Sequence, residues 1–263
     1  MAQELPPDGP SAVLDVQGLV VRYGTYEAVR SVSFRITRGE IFGLLGPNGA
    51  GKTSTLSAIE GLLPADAGRV LVEGIDVRSQ PSASKARIGV QLQASSFQPE
   101  LTMEQIARLY AGLYGVRLSR QQIADRLRDI GLHGELGKRL ASLSGGQRQR
   151  FALFIAVIHD PSLLLLDEPT AGLDPQARRQ LWRRIETLRG GGGSILLTTH
   201  SMEEAQAVCD RVAIIDRGAL LTVDTPGNLI TKHRDDPRVL GVAHGDVTLE
   251  DVFIGLTGSD VRD

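Results

Sequence analysis

The chain has 263 residues, 41% of them hydrophobic and 23% charged, with a formal net charge of -2. That length carries one large domain, or one domain with an inserted lobe, and the composition is that of an ordinary soluble globular protein. Near-neutral charge argues against a nucleic-acid partner or a polybasic membrane tether, and the single cysteine, Cys209, excludes an internal disulfide and fits a reducing compartment.

In chain order, "MAQELPPDGPS" is acidic and Pro-rich. It reads as a disordered N-terminus over residues 1–11, neither signal peptide nor anchor. "AVLDVQGLVVRYG" (12–24) alternates apolar and polar residues and predicts an edge strand. "AVRSVSFRITRGEIFGLLG" predicts two more strands around a turn at Arg38 and Gly39. After Gly51, "KTSTLSAIEGLL" has helical spacing and stops at Gly61 and Pro64. "GRVLVEGIDV" predicts a further strand pair.

From Leu101 to about Leu140 the character becomes helical. "TMEQIARLYAGLYGV" and "SRQQIADRLRDIGL" are amphipathic and each opens on a hydroxyl residue suited to N-capping. This predicts a helical lobe inserted in the core. "FALFIAVI" (151–158) is about half of the roughly 18 apolar residues a spanning helix needs, and reads as a buried helix. "PSLLLLDEP" and "SILLTTH" are short and continuously apolar, as strands buried on both faces of a parallel sheet are. "PQARRQLWRRIETLRG" between them completes a βαβ unit. "GGGG" (190–193) ends that helix and has no helix after it, which argues against a second phosphate loop. "EEAQAVCDRV" places Cys209 as a small buried helix residue rather than a reactive thiol. "RVAIIDRGALLTVDTP" predicts a closing hairpin turning near Arg217 and Gly218.

The chemistry concentrates in three strings. "GPNGAGKTS" contains G-x-x-x-x-G-K-[ST] from Gly46 to Thr53, with Pro47, Asn48, Gly49, Ala50 and Gly51 inside it and Ser54 following. Its glycines let backbone N–H groups converge on phosphate, and the next helix adds its positive end. Lys52 would reach the β- and γ-phosphates and Thr53 would bind Mg²⁺. "LLLLDEP" ends an apolar strand on Asp167, placed to orient Mg²⁺, and on Glu168, a candidate general base. Alone that acidic pair resembles any solvated strand end; with Lys52 upstream the two strings indicate a P-loop NTPase. "LSGGQ" gives Ser144, Gly145, Gly146 and Gln147, a second anion-binding loop at a helix start. One triphosphate has no evident use for two such loops in one chain. A second copy, closing its loop over the first copy's γ-phosphate in a head-to-tail pair, would use it.

These strings resemble the ATP-binding-cassette (ABC) family over about residues 12–225, and "LSGGQ" matches its signature motif. The resemblance implies an α/β fold: a P-loop NTPase (ABC ATPase) with a RecA-like core, an antiparallel β subdomain and an inserted α-helical lobe. It implies an ATPase domain over 12–228, the lobe at about 94–160, and a short C-terminal extension over 229–263. By the same resemblance Tyr23 in "VRYG" stacks on adenine, and Gln93 in "IGVQLQ" is the glutamine sensing Mg²⁺ and water. Asp174 in "AGLDP" lies at the dimer interface, and His200 after "LLTT" contacts the γ-phosphate. His133, His159, His233 and His244 match nothing and are left as surface or core residues. With Tyr23, Lys52, Gln93, Ser144, Glu168 and His200 all present, both sites of an ATP-bound homodimer are expected to hydrolyse ATP.

Having no spanning helix of its own, such a chain is expected to work for an integral membrane permease, from the cytoplasmic face. The family resemblance puts the permease groove at roughly residues 93–116. Phe97, Leu101, Tyr110 and Tyr114 there either meet the permease or pack within the lobe. "VTLEDVFIGLTG" (247–258) resembles a segment of ABC-2-type exporter ATPases, while "TKHRDDPRVLGVAHGD" reads as a short variable connection. The alternatives are an importer ATPase or a soluble cassette acting on ribosomes or DNA. The latter lacks the fused second cassette, long insertion or basic arm it would need, so no nucleic-acid partner is expected. A small-molecule kinase has no use for "LSGGQ".

Overall fold

A computed structural model of the protein describes residues 12–91 and 97–258. Two long strands, β1 (Ala12–Tyr23) and β2 (Tyr26–Thr37), open the chain as a hairpin, and β3 (Ile41–Leu45) follows the turn at Arg38 and Gly39. Then come α1 (Lys52–Ile59), β4 (Ala67–Val72), β5 (Ile75–Asp76), α2 (Pro81–Lys85) and β6 (Ile88–Gln91). Three helices precede the next strand: α3 (Met103–Leu113), α4 (Arg120–Asp129) and α5 (Gly145–Ala156). The rest alternates: β7 (Leu163–Asp167), α6 (Pro175–Gly190), β8 (Ser194–Thr199), α7 (Met202–Val208), β9 (Arg211–Asp216) and β10 (Ala219–Asp224). It ends with α8 (Pro226–His233), α9 (Pro237–Leu240) and α10 (Leu249–Thr257).

The strands form an antiparallel sheet ordered β2-β1-β4-β5 and a six-stranded sheet ordered β10-β9-β3-β8-β7-β6, parallel from β9 to β6. β8 is buried along its whole length and β7 up to Asp167, as their unbroken apolar runs predicted, and β3 is buried throughout as well. β1, expected at an edge, lies inside its sheet between β2 and β4. Alternation records which face is buried, not whether both backbone edges are paired, so it cannot separate the two cases.

Side-chain packing divides into three cores. One lies between the two sheets and α1, where Phe34 stacks on Phe42 at 5.2 Å between centroids. A second lies on the other face of the parallel sheet, under α6, α7, α8 and α10. The third belongs to the helices between β6 and β7. α5 serves two of them: Leu153 and Ala156 face the second core, while Phe151, Phe154 and Ile155 face the third. α3 and α4 are closed by capping boxes on Thr102 and Ser119, as their sequences predicted.

Two expectations on the periphery change. Residues 231–246, read as a short variable connection, hold the end of α8 and the whole of α9, the latter anchored by the fully buried Val239, while α8 starts upstream on the fully buried Leu229. Cys209 is buried, but it follows α7 in an extended conformation rather than lying in a helix. Of the rings proposed for the permease groove, Phe97 meets Tyr110 and Phe151 edge-on, and Tyr114 stacks on His159 at 3.6 Å. Phe97 and Tyr110 are half-buried, whereas Tyr114 stays exposed beside the exposed Leu109 and Leu113 of α3.

Candidate active site

β3 delivers the chain from the buried sheet into the loop Gly46–Gly51, and α1 carries it away. The loop fits only because two positions lack a side chain. A Cβ on Gly46 would lie 2.4 Å from the Ile215 carbonyl, and one on Gly51, at φ +102°, would lie 2.4 Å from the Ala28 carbonyl. Gly51 is also the N-cap of α1 and brings no capping side chain, so the first-turn N–H groups of α1 have no intrahelical acceptor. That leaves donors and a positive helix end aimed out of the loop.

Lys52 is only 8% exposed. Its Nζ donates to the carbonyls of Gly46 at 2.6 Å and Pro47 at 3.1 Å, folding the ammonium back over the loop. Burial pushes its pKa below the ordinary lysine value, and the carboxylates of Glu168 and Asp167 pull it back up.

The opposite wall comes from the ends of β7 and β8. Thr198 Oγ1 donates to Asp167 Oδ1 at 2.6 Å and accepts the backbone N–H of Glu168 at 3.0 Å. One hydroxyl therefore fixes both acidic residues. Glu168 sits at φ +46°, the left-handed region that disfavours a β-carbon, so the turn is held by its surroundings rather than by preference. His200 follows β8, with 59% of its side chain exposed and its Nδ1 3.6 Å from Glu168 Oε1. Tyr23, 53% exposed at the end of β1, places its hydroxyl 3.4 Å from Ser54 Oγ.

These groups line one open cleft of about 680 Å³: Tyr23, the whole run from Gly46 through Pro47, Asn48, Gly49, Ala50, Gly51, Lys52 and Thr53 to Ser54, and Asp167, Glu168 and His200. Tyr26, Ala28 and Phe253 complete the wall and were not predicted. Ser144, Gly145, Gly146 and Gln147 are not in it. Ser144 caps α5 in a reciprocal box with Gln147, its Oγ accepting the Gln147 N–H at 3.3 Å. Asp174 is likewise outside, exposed and capping α6 through the N–H groups of Gln176 and Ala177 at 2.9 Å. A Cβ added at Gly146 would lie 4.0 Å from that of Ala177, so the "LSGGQ" turn and the start of α6 are neighbours. Gln93 lies outside the described residues.

Two further groups join the site through tertiary contact. Thr198 is the hydroxyl just described; the paired threonines closing "SILLTTH" were its only sequence signal. Glu204 of α7, buried, accepts from Thr170 Oγ1 at 2.7 Å beside the acidic pair. Nothing local in "SMEEAQ" distinguishes it from its exposed neighbour Glu203.

The ABC transporter family model matches residues 29–171, more than half of the chain. A Nod factor export ATP-binding protein I from Ralstonia nicotianae is 38% identical over 88% of this chain and 74% of its own length. A probable multidrug ABC transporter ATP-binding protein from Escherichia coli is 36% identical over 93% of this chain, which spans 41% of that longer protein. Among solved structures, an ATP-binding subunit of an ABC transporter superposes with a TM-score of 0.81 at 28% identity, covering 93% of this chain and 99% of the other. A nucleotide-free ATP-binding cassette, at 21% identity and a TM-score of 0.77, shares the fold. With the glycine cradle, the buried lysine and the acidic strand end in one cleft, the chain belongs to the ABC transporter family as one of its ATP-binding, ATP-hydrolysing domains.

Proposed function

We propose that two copies of this chain pair head to tail around two Mg-ATP and drive an integral membrane permease of the ABC-2 type, as the ATPase of an exporter. One observation carries the reading: the cleft gathers Tyr23, the Gly46–Ser54 loop, Asp167, Glu168 and His200, while the Ser144–Gln147 turn and Asp174 stand outside it on the surface. A site open on one face, and a second anion-binding turn left unused, are complementary halves of an isologous interface.

Within each half, α1's N–H groups and Lys52 receive the β- and γ-phosphates. Lys52 is poised for this, since its ammonium donates to the Gly46 and Pro47 carbonyls of its own loop. Thr53 and Asp167 are the residues to hold Mg²⁺. Asp167 is already oriented by Thr198, and a cation that keeps water and phosphate ligands needs few protein groups. Mg²⁺ neutralises phosphate charge when bound. Glu168 accepts a proton from the attacking water, and His200 beside it reaches the γ-phosphate. Tyr23, exposed at the cleft mouth, offers its ring to adenine, with Gln93 assigned to sensing Mg²⁺ and water.

The partner reading follows from the motion. Closing and opening a nucleotide-bridged pair is work only if delivered elsewhere, and no helix among the described residues is long and apolar enough to cross a membrane. Export is supported by the relatives, whose names place them in Nod factor export and multidrug transport. On this reading residues 12–228 are the ATPase domain, about 94–160 its lobe, and 229–263 an extension; the protein sits at the cytoplasmic face of the membrane.

The test is Glu168→Gln. It keeps the side chain's shape and removes the base, so Mg-ATP should convert the monomer to a stable dimer with hydrolysis abolished. A variant that stays monomeric at saturating Mg-ATP contradicts the proposal.

A further inference from the structure

We infer that Glu204 is a positioning residue that locks the His200 end of β8 and the Asp174 turn into one body, so that nucleotide in the cleft sets where the Asp174 turn presents itself. The inference rests on the head-to-tail reading above.

α7 starts directly after His200, its first turn closed by Ser201 Oγ accepting the Glu204 N–H at 3.3 Å. Glu204 therefore moves with His200. Its carboxylate is 7% exposed and is held twice, Oε2 accepting from Thr170 Oγ1 at 2.7 Å and Oε1 lying 3.0 Å from Arg178 Nε as a charge pair. These partners flank the segment carrying the acidic pair into α6. Thr170 is buried within it, and two successive tight turns, Ala171 N–H to Glu168 O and Leu173 N–H to Thr170 O, both at 3.1 Å, make it compact. Arg178 stands one turn into α6, its N–H bonded to the Asp174 carbonyl at 3.0 Å. One buried carboxylate thus grips Asp174's turn at its root and at its far end.

A buried carboxylate is tolerated only while its partners stay in place, so this grip resists being pulled apart. α7 is backed from the other side by Phe253 of α10, which packs in one core with Met202 and Ala205 and also reaches the cleft wall. A displacement of His200 is accordingly passed to Asp174 as a rigid step rather than absorbed by the helix. In the pair, Asp174 faces the other copy, so occupancy of one cleft alters the surface offered to its neighbour.

The experiment uses the Glu168→Gln background, reading ATP affinity of the monomer and the protein concentration for half-assembly in Mg-ATP. Arg178→Ala, whose side chain is largely outside the core, and Thr170→Val are expected to leave monomer affinity within about twofold while weakening assembly roughly tenfold or more. Combining Arg178→Ala with Glu204→Gln should cost no more than the worse single change, because both break one unit. Arg178→Lys should recover most of the loss. A merely structural residue would lower the melting temperature without this split between affinity and assembly. Should Glu204→Gln not fold, the Arg178 and Thr170 arms decide. Unchanged assembly in both, or costs that add as independent terms, overturns the inference while the parent still dimerises. If the Glu168→Gln parent itself stays monomeric, the head-to-tail reading has failed and the inference falls with it.

Discussion

Replacing Thr198 with valine removes one hydroxyl and changes almost nothing else in volume, yet that hydroxyl orders the whole acidic wall. It donates to Asp167 at 2.6 Å and accepts from the Glu168 N–H at 3.0 Å. The Glu168 N–H keeps a partner after the change, since the Thr198 carbonyl is 3.2 Å away. The loss therefore falls on Asp167. A hydrogen bond to a charged group contributes about 1.5–3 kcal/mol, and the lower end applies because Asp167 is only half-buried. If most of this is realised when Asp167 holds Mg²⁺ in the transition state, as proposed, kcat falls roughly tenfold. If it is realised in the folded state, the melting temperature falls by about 2–4 °C per kcal/mol for a chain of this size. Thr198→Ser separates the two, keeping the hydroxyl and losing a buried methyl at a cost of about 1 kcal/mol. The assay is steady-state ATP hydrolysis at saturating Mg-ATP beside a thermal melt. Serine should retain activity and valine should not. A valine variant with kcat and melting temperature both matching the parent would refute the role given to this hydroxyl.

Gly51→Ala should fold but lose ATP binding, because alanine at φ +102° also drives a methyl toward the Ala28 carbonyl and deforms the loop; equilibrium binding of a fluorescent ATP analogue checks this. Glu60, buried where α1 ends, has its pKa raised to about 7 by burial first and by the charge of Asp167 second, with Lys85 opposing. A carboxyl whose folded pKa exceeds its unfolded one contributes most stability below the unfolded value, and loses it as pH rises through about 7. The loss is worth roughly 3 kcal/mol, so Glu60→Gln should melt higher than the parent at pH 8 and nearly equally at pH 4; equal melting at both would show that Glu60 is not strained by ionising.

The nucleotide half of the site was legible because its chemistry is local. "GPNGAGKTS" and "LLLLDEP" each hold the backbone shape and the functional atoms within a few residues, and the cleft gathers both. What tertiary contact creates was not legible. Thr198 and Glu204 look in sequence like any strand-end hydroxyl and helix-surface acid until β8 lies beside β7 and α7 lies under Thr170. Phe253 reaches the cleft from α10, far along the chain, through packing that no periodicity announces. The tail helices were hidden because "TKHRDDPRVLGVAHGD" is strongly polar, and α8 and α9 rest on isolated anchors at Leu229 and Val239. β1 was placed at an edge because alternation carries no information about backbone pairing.

In the proposed pair, Ser144 of one copy closes over the phosphate loop of the other. Cysteines at Asn48 and Ser144 test it directly. The native thiol, Cys209, stays out of the reaction because it is buried, and burial with nearby Asp210 and Glu204 pushes its pKa up. In the Glu168→Gln background, a short thiol crosslinker should give a doubly linked dimer with Mg-ATP and little with ADP or without nucleotide. Dimer yields that ignore nucleotide, or linkage confined to single chains, would contradict the shared site.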